Sequence, residues 1–142
     1  VPKVDLGKKL FGVYPHYVLN KRARLLRGFD DIFYVPHSRY TGNNLKRIQN
    51  MPELDVLAVS DQAGLCICAS HDRRQIFITG HLEYDRDTLK KEYDRDVQKG
   101  LDIAVPENYC WMTFSQLLLF MRFNNYLNIA TRNLLALIPL TF

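Results

Sequence analysis

Residues 75–100 read QIFITGHLEYDRDTLKKEYDRDVQKG, and the hydrophobic period changes inside them. Residues 75–79 (QIFIT) are β-branched, aromatic and mostly apolar, the pattern of a strand buried on both faces. Residues 84–100 (YDRDTLKKEYDRDVQKG) are charged and end at a glycine, which predicts an amphipathic helix with a glycine cap. Asp87 and Lys91 are spaced for an intrahelical ion pair. The tetrapeptide YDRD starts at Tyr84 and again at Tyr93. That offset is about two and a half helical turns, so the two copies are expected on opposite sides of one helix. Between strand and helix stands Thr79-Gly80-His81-Leu82-Glu83-Tyr84-Asp85.

Upstream, residues 54–59 (LDVLAV) and 65–69 (LCICA) read as strands joined by the turn SDQAG, and SHDRR is a polar turn before QIFIT. Residues 10–18 (LFGVYPHYV) read as a strand interrupted near Pro15. Residues 25–31 predict a short turn or helix ending near Gly28. Residues 32–35 are a short apolar run stopped by Pro36, which puts His37, Ser38 and Arg39 on a loop. Residues 40–52 predict a loop with one helical turn. After the loop through Pro106, residues 114–129 carry Leu117, Leu118, Met121 and Leu127 and predict a second helix. Strands with at least two helices give an α/β class.

The chain has 142 residues, 47% of them hydrophobic and 24% charged, which is ordinary globular composition and argues against disorder. No apolar run reaches the roughly 18 residues of a membrane span. The start, VPKVDLGKK, lacks the apolar core of a secretory signal, and a first residue of Val rather than Met suggests a piece of something longer. Net charge is +4, too little for a nucleic-acid argument unless it is clustered. Lys21, Arg22, Arg24 and Arg27 do cluster. They form either a phosphate patch or a solvated face with Leu25 and Leu26 turned inward, and the second reading is favoured. Three cysteines argue against a disulfide framework and fit a reducing, cytoplasmic setting. Cys66 and Cys68 on one strand would share a face as buried thiols, with no metal site expected.

His81 sits where α/β sheets place active sites, at the carboxyl end of a strand. An imidazole there can serve as a general base near neutral pH. A carboxylate two residues on, Glu83, could fix its tautomer and stabilise its charged form. The alternative is a surface histidine beside acids that suit a helix N-terminus. Such a base needs a nucleophile, and no G-x-C-x-G or G-x-S-x-G elbow occurs. Cys66 and Cys68 fall within a strand, Cys110 in a loop, and Ser38 in PHSR is not an elbow.

Three segments resemble the homoserine O-succinyltransferase/O-acetyltransferase family of methionine biosynthesis: LLRGFDDIFYVPHSRY (25–40), LDVLAVSDQAGLCICAS (54–70) and QIFITGHLEYDRDTLKKEYDRDVQKG (75–100). KKLFGVYPH (8–16) fits as well, and the resemblance runs nearly continuously from Lys3 to Tyr109. It implies a flavodoxin-like, class I glutamine amidotransferase-like sheet with flanking helices. It also implies acyl transfer from acyl-CoA, as succinyl-CoA or acetyl-CoA, to the hydroxyl of L-homoserine. The implied mechanism is ping-pong, with a Cys-His-Glu set. By motif, His81 is the base and Glu83 orients it, while Lys9, Ser38 and Arg95 match substrate-binding positions. No tightly bound cofactor, no nucleic acid and no membrane is implied, and the full-length protein is expected to be a cytoplasmic homodimer.

The departures are equally specific. The family's nucleophilic cysteine lies upstream of the part matched by residues 8–16, so the chain reads as the C-terminal portion of the catalytic domain, residues 1–109. Leu82 replaces a proline between the His and the Glu. Residues 110–142 are expected to be helical. They read as a divergent tail with a deleted loop or as a frameshifted one: Trp111 keeps the family spacing, Met112 stands where Arg is expected, and NLLALIPLTF matches nothing. Two other readings remain open, a Cys-His-Glu glutamine amidotransferase and a non-catalytic remnant or basic binding module.

Overall fold

The computed structural model describes residues 3–109; the tail expected to be helical, and Cys110 with it, lies outside them. The elements are β1 (Lys3–Val18), a 3-10 turn (Arg24–Leu26), β2 (Ile32–Asn43), α1 (Leu45–Gln49), β3 (Leu54–Ser60), β4 (Gly64–Ser70), β5 (Ile76–Ile78) and α2 (Thr88–Gln98). The strands form one sheet in the order β2-β1-β3-β4-β5, and each neighbouring pair is antiparallel. The sheet curls until its two ends approach. The Arg39 guanidinium of β2 donates to the Ala63 carbonyl in the β3–β4 turn at 2.7 Å, and the His81 N–H after β5 donates to the Pro36 carbonyl of β2 at 2.9 Å. Inside the curl lies the main core of Leu26, Phe33, Val35, Leu57, Ala58, Cys66 and Ile67. A second cluster, Phe11, Val13 and Leu89, glues α2 to β1.

Both prolines expected to break strands are carried within them. Pro15 pairs with Tyr34, and Pro36 with Val13. The Val13 N–H points away from β2, to the Glu107 carbonyl at 2.9 Å. Pro15, two residues on, shares that orientation, so its missing N–H costs the β1–β2 ladder nothing. Pro36 likewise turns its backbone outward, since its carbonyl accepts from His81. Hence His37, Ser38 and Arg39 lie on β2, not on a loop, and their alternation is fixed by the ladder.

Residues 75–79 form a shorter and less buried strand than expected. β5 spans Ile76–Ile78 and, among the described residues, pairs with β4 alone, and Ile78 is 38% exposed. Cys66 and Cys68 do not share a cluster: Cys66 packs in the main core, Cys68 with Ile48 and Leu65. Register shifts on both sides of the Ala58–Ile67 pair break the two-residue alternation between them. The basic segment behaves as expected, with Leu26 buried, Leu25 half-buried and Lys21, Arg22, Arg24 and Arg27 exposed.

The helices carry readable ends. The Asn44 side chain accepts from the Arg47 N–H at 3.0 Å and starts α1. At the end of α2, Gly100 has φ +72°. Its N–H reaches the Val97 carbonyl at 2.9 Å and the Leu101 N–H reaches Asp96 at 3.1 Å, a Schellman closure. The Asp87–Lys91 pair forms at 2.7 Å. The helix begins four residues later than the sequence predicts. The Asp85 N–H is satisfied by the Thr88 hydroxyl at 3.1 Å, and Tyr84 is drawn off the helix by the site described below.

Gly12 shows where backbone approach excludes a side chain. Glu107 docks on β1 through paired bonds, Val13 N–H to Glu107 and Glu107 N–H to Phe11 at 2.8 Å. A Cβ at Gly12 would lie 2.3 Å from the Glu107 carbonyl oxygen, and the residue has φ +151°. Gly12→Ala is expected to destabilise the chain by about 2–3 kcal/mol through forced displacement and backbone strain. Urea unfolding checks it; an unchanged midpoint would contradict the docking of Glu107.

Candidate active site

The site starts from Gly80. A Cβ there would stand 2.2 Å from Val35 Cγ1 and 3.2 Å from the His37 ring, so only glycine lets the chain after β5 lie this close to β2. The next residue, His81, is anchored by its N–H on Pro36. Its Nδ1 lies 2.8 Å from Glu83 Oε1, and an ionised carboxylate accepts only. The proton therefore belongs on Nδ1, which leaves Nε2 as the basic nitrogen. The imidazole is one-third exposed, and the Tyr84 ring stacks on it at 4.2 Å with 13° between planes.

From Tyr84 a polar network runs along α2. The Tyr84 hydroxyl donates to Glu92 Oε1, and the Ser38 hydroxyl of β2 donates to Glu92 Oε2. Lys9 Nζ of β1 lies 3.7 Å from Glu92 and 3.0 Å from Asp96 Oδ2, and 4.1 Å above the Phe11 ring. Arg95 Nε donates to Asp96 Oδ1 at 2.7 Å. Burial, and then its bond to Glu92, pushes the Tyr84 hydroxyl well above the usual tyrosine range. Lys9 first, and Arg95 second, hold the Asp96 carboxyl below the usual carboxylate range.

All five residues singled out from the sequence thus fall on one continuous run of contacts: Glu83, His81, then through Tyr84 and Glu92 to Ser38, Lys9, Asp96 and Arg95. Tyr84, Glu92 and Asp96 were not singled out. One signal existed: Asp96 follows Leu89 and Tyr93 at helical spacing, which puts an acid on the buried stripe of α2. The two YDRD copies do not face opposite sides. Tyr84 and Tyr93 pack on the same cluster, Phe11, Val13 and Leu89, because Tyr84 precedes the helix and the turn-counting argument requires both on it.

Among the described residues the two cysteines, Cys66 and Cys68, are buried. Burial pushes the Cys66 thiol up to about 12, a protonated, unreactive state. No group of three or more His, Cys, Asp or Glu among the described residues is placed to hold a metal ion. No helix among them is long and apolar enough to cross a membrane.

The profile of the homoserine O-succinyltransferase family matches residues 1–134. The chain belongs to that family. Among curated members of this acyltransferase group, it is 54% identical over 109 residues to the homoserine O-acetyltransferase of Brevibacillus brevis, covering 77% of this chain and 36% of that one. It is 44% identical over 137 residues to the homoserine O-acetyltransferase of Bacillus subtilis, covering 89% of this chain and 45% of that one. The chain therefore spans less than half the length of either relative. A glutamine amidotransferase from Thermotoga maritima superposes with TM-score 0.55 at 15% identity, over 84% of this chain and 50% of that one. That likeness shows the fold, an α/β glutamine amidotransferase-like arrangement, as expected from the sequence.

Proposed function

We propose that this homoserine O-succinyltransferase family chain supplies the base and the amino-acid pocket of an enzyme that moves an acyl group from acyl-CoA to the hydroxyl of L-homoserine. The observation that carries it is the His81–Glu83 pair joined through Tyr84 to two cations and two acids. Homoserine brings a carboxylate, an ammonium and a hydroxyl. Its carboxylate suits Lys9 and the planar fork of Arg95, and its ammonium suits Glu92. Ser38, already bonded to Glu92, can turn its hydroxyl to the same substrate.

The reaction runs in two steps on a cysteine thiolate from outside the described residues. The thiolate, paired with a protonated His81, takes the acyl group from the CoA thioester, and CoA leaves as the thiol with the proton from His81 Nε2. The homoserine oxygen then attacks the acyl-enzyme while His81 Nε2 accepts its proton, and the cysteine leaves as thiolate. Glu83 holds the imidazolium formed. No tightly bound cofactor is needed, and the names of the relatives favour acetyl-CoA over succinyl-CoA as donor. In this reading the full-length protein works as a cytoplasmic homodimer.

A chimera tests the reading: this chain replaces the matching part of the B. brevis relative. Homoserine-dependent CoA release from acetyl-CoA is expected, without glutamine hydrolysis. The isolated chain of 142 residues is expected to release none. Lys9→Ala or Arg95→Ala should raise the KM for homoserine about 10–100-fold, the worth of one charge-assisted bond. Glutaminase activity in its place would transfer the site to the amidotransferase reading.

A further inference from the structure

We propose that His37 is a positioning residue for His81, its ring fixed by a buried, one-way hydrogen-bond chain that runs from Arg39 through His37 and His16 to the Tyr14 carbonyl. Its role in catalysis rests on the acyl-transfer reading; the chain itself does not. His16 and His37 are both fully buried, and neither is used by the mechanism above. Arg39 Nε lies 3.2 Å from His37 Nδ1. A guanidinium only donates, so His37 Nδ1 carries no proton. His37 Nε2 then bears the hydrogen and donates to His16 Nε2 at 3.2 Å. His16 must in turn hold its proton on Nδ1, which lies 2.9 Å from the Tyr14 carbonyl oxygen. Each tautomer is forced by the one before it.

Arg39 is itself pinned, by bonds to the Thr41 and Ala63 carbonyls, so the source of the chain is rigid. Phe33 stacks on His16 and Tyr14 meets His37 edge-on, which closes the pair off from water. Burial keeps both rings neutral.

The Cε1–Nε2 edge of the His37 ring, whose Nε2 bonds His16, also faces Gly80: a Cβ built on Gly80 would lie 3.2 Å from both atoms. Pro36, between His37 and Val35, accepts the His81 N–H. Three consecutive residues of β2 thus seat the segment that carries His81: the Pro36 carbonyl holds residue 81, and the Val35 and His37 side chains stand against Gly80.

The experiment is nitrogen-15 NMR of the histidine-labelled chain near neutral pH. The expected pattern is His37 protonated at Nε2 and His16 at Nδ1. His37→Phe is expected to shift the His81 ring signals and weaken its Nδ1-protonated form, with the distant, exposed His71 unmoved. His37→Gln, which keeps an Nε2-like donor toward His16, should restore most of the His81 pattern. The opposite tautomer at either ring, or His81 signals unmoved by His37→Phe, overturns the proposal. In the chimera, His37→Phe should lower kcat about a hundredfold at an unchanged KM for homoserine, as misplacement of a catalytic group does; an equal rise in KM would overturn the positioning role. An inactive parent chimera with the expected tautomers would sink the acyl-transfer reading and leave the hydrogen-bond chain standing.

Discussion

His81→Asn in the chimera is expected to lower kcat/KM by about 10²–10⁴-fold, the usual worth of a general base. The choice of Asn isolates the chemistry. Its side-chain amide nitrogen sits near the position of Nδ1 and can still donate to Glu83, while nothing replaces Nε2. The anchoring bond from the residue 81 N–H to Pro36 is retained. The imidazole is one-third exposed, so the melting temperature should fall by less than about 3 °C. A loss below tenfold would remove His81 from the proton-transfer step. A large loss with a collapsed melting temperature would show that the side chain holds the loop rather than moving a proton.

A second large effect is expected on acid stability. Burial, partly opposed by the Tyr14 carbonyl, lowers His16 to about 4; burial, His16 and Arg39 lower His37 to about 2. Among the described residues the groups facing the pair are Arg39, His81 and the Tyr14 hydroxyl, itself pushed up to about 12 chiefly by burial, and none of them is an acid that would welcome a proton. An unfolded histidine titrates near 6.5. Above that, both states are neutral and the stability is whole. As pH falls below it, the unfolded chain binds protons that the folded chain refuses, and stability drops by up to about 2.7 kcal/mol per pH unit for two such groups. His16 alone accounts for about 3 kcal/mol, lost by pH 4. Asp96 adds its loss at still lower pH, below its ordinary range near 3.8. Urea unfolding at about pH 7 and pH 5 reads the slope, since the unfolded rings protonate across that window. A flat profile between them would mean that the histidines are hydrated or paired with an acid. His16→Gln should remove about half of the slope.

Much of the candidate site was legible because its residues lie on local patterns. His81 and Glu83 are two apart at a strand end, and Arg95 and Lys9 lie in strings shared with the family. What escaped was non-local. Glu92 joins Ser38 from a separation of 54 residues, and nothing in a helical period announces such a pairing. The prolines misled for a similar reason. A proline breaks a strand only when its missing N–H faces a neighbour, and which way it faces depends on register, which Glu107 and His81 reveal and the local sequence does not. The His16–His37 pair was silent altogether, because a buried histidine and an exposed one look alike in a string of letters.

The bond between His81 and Pro36 has a consequence for the life of the protein outside its reaction. Among the described residues β2 ends the sheet, and the rim of a sheet is where one chain can recruit another into a growing aggregate. At the middle of that rim Pro36 has no hydrogen to offer, and its oxygen is already taken by His81. The loop that carries His81 therefore also guards the rim against strand addition. Loosening that loop would endanger solubility as well as the seat of the proposed base.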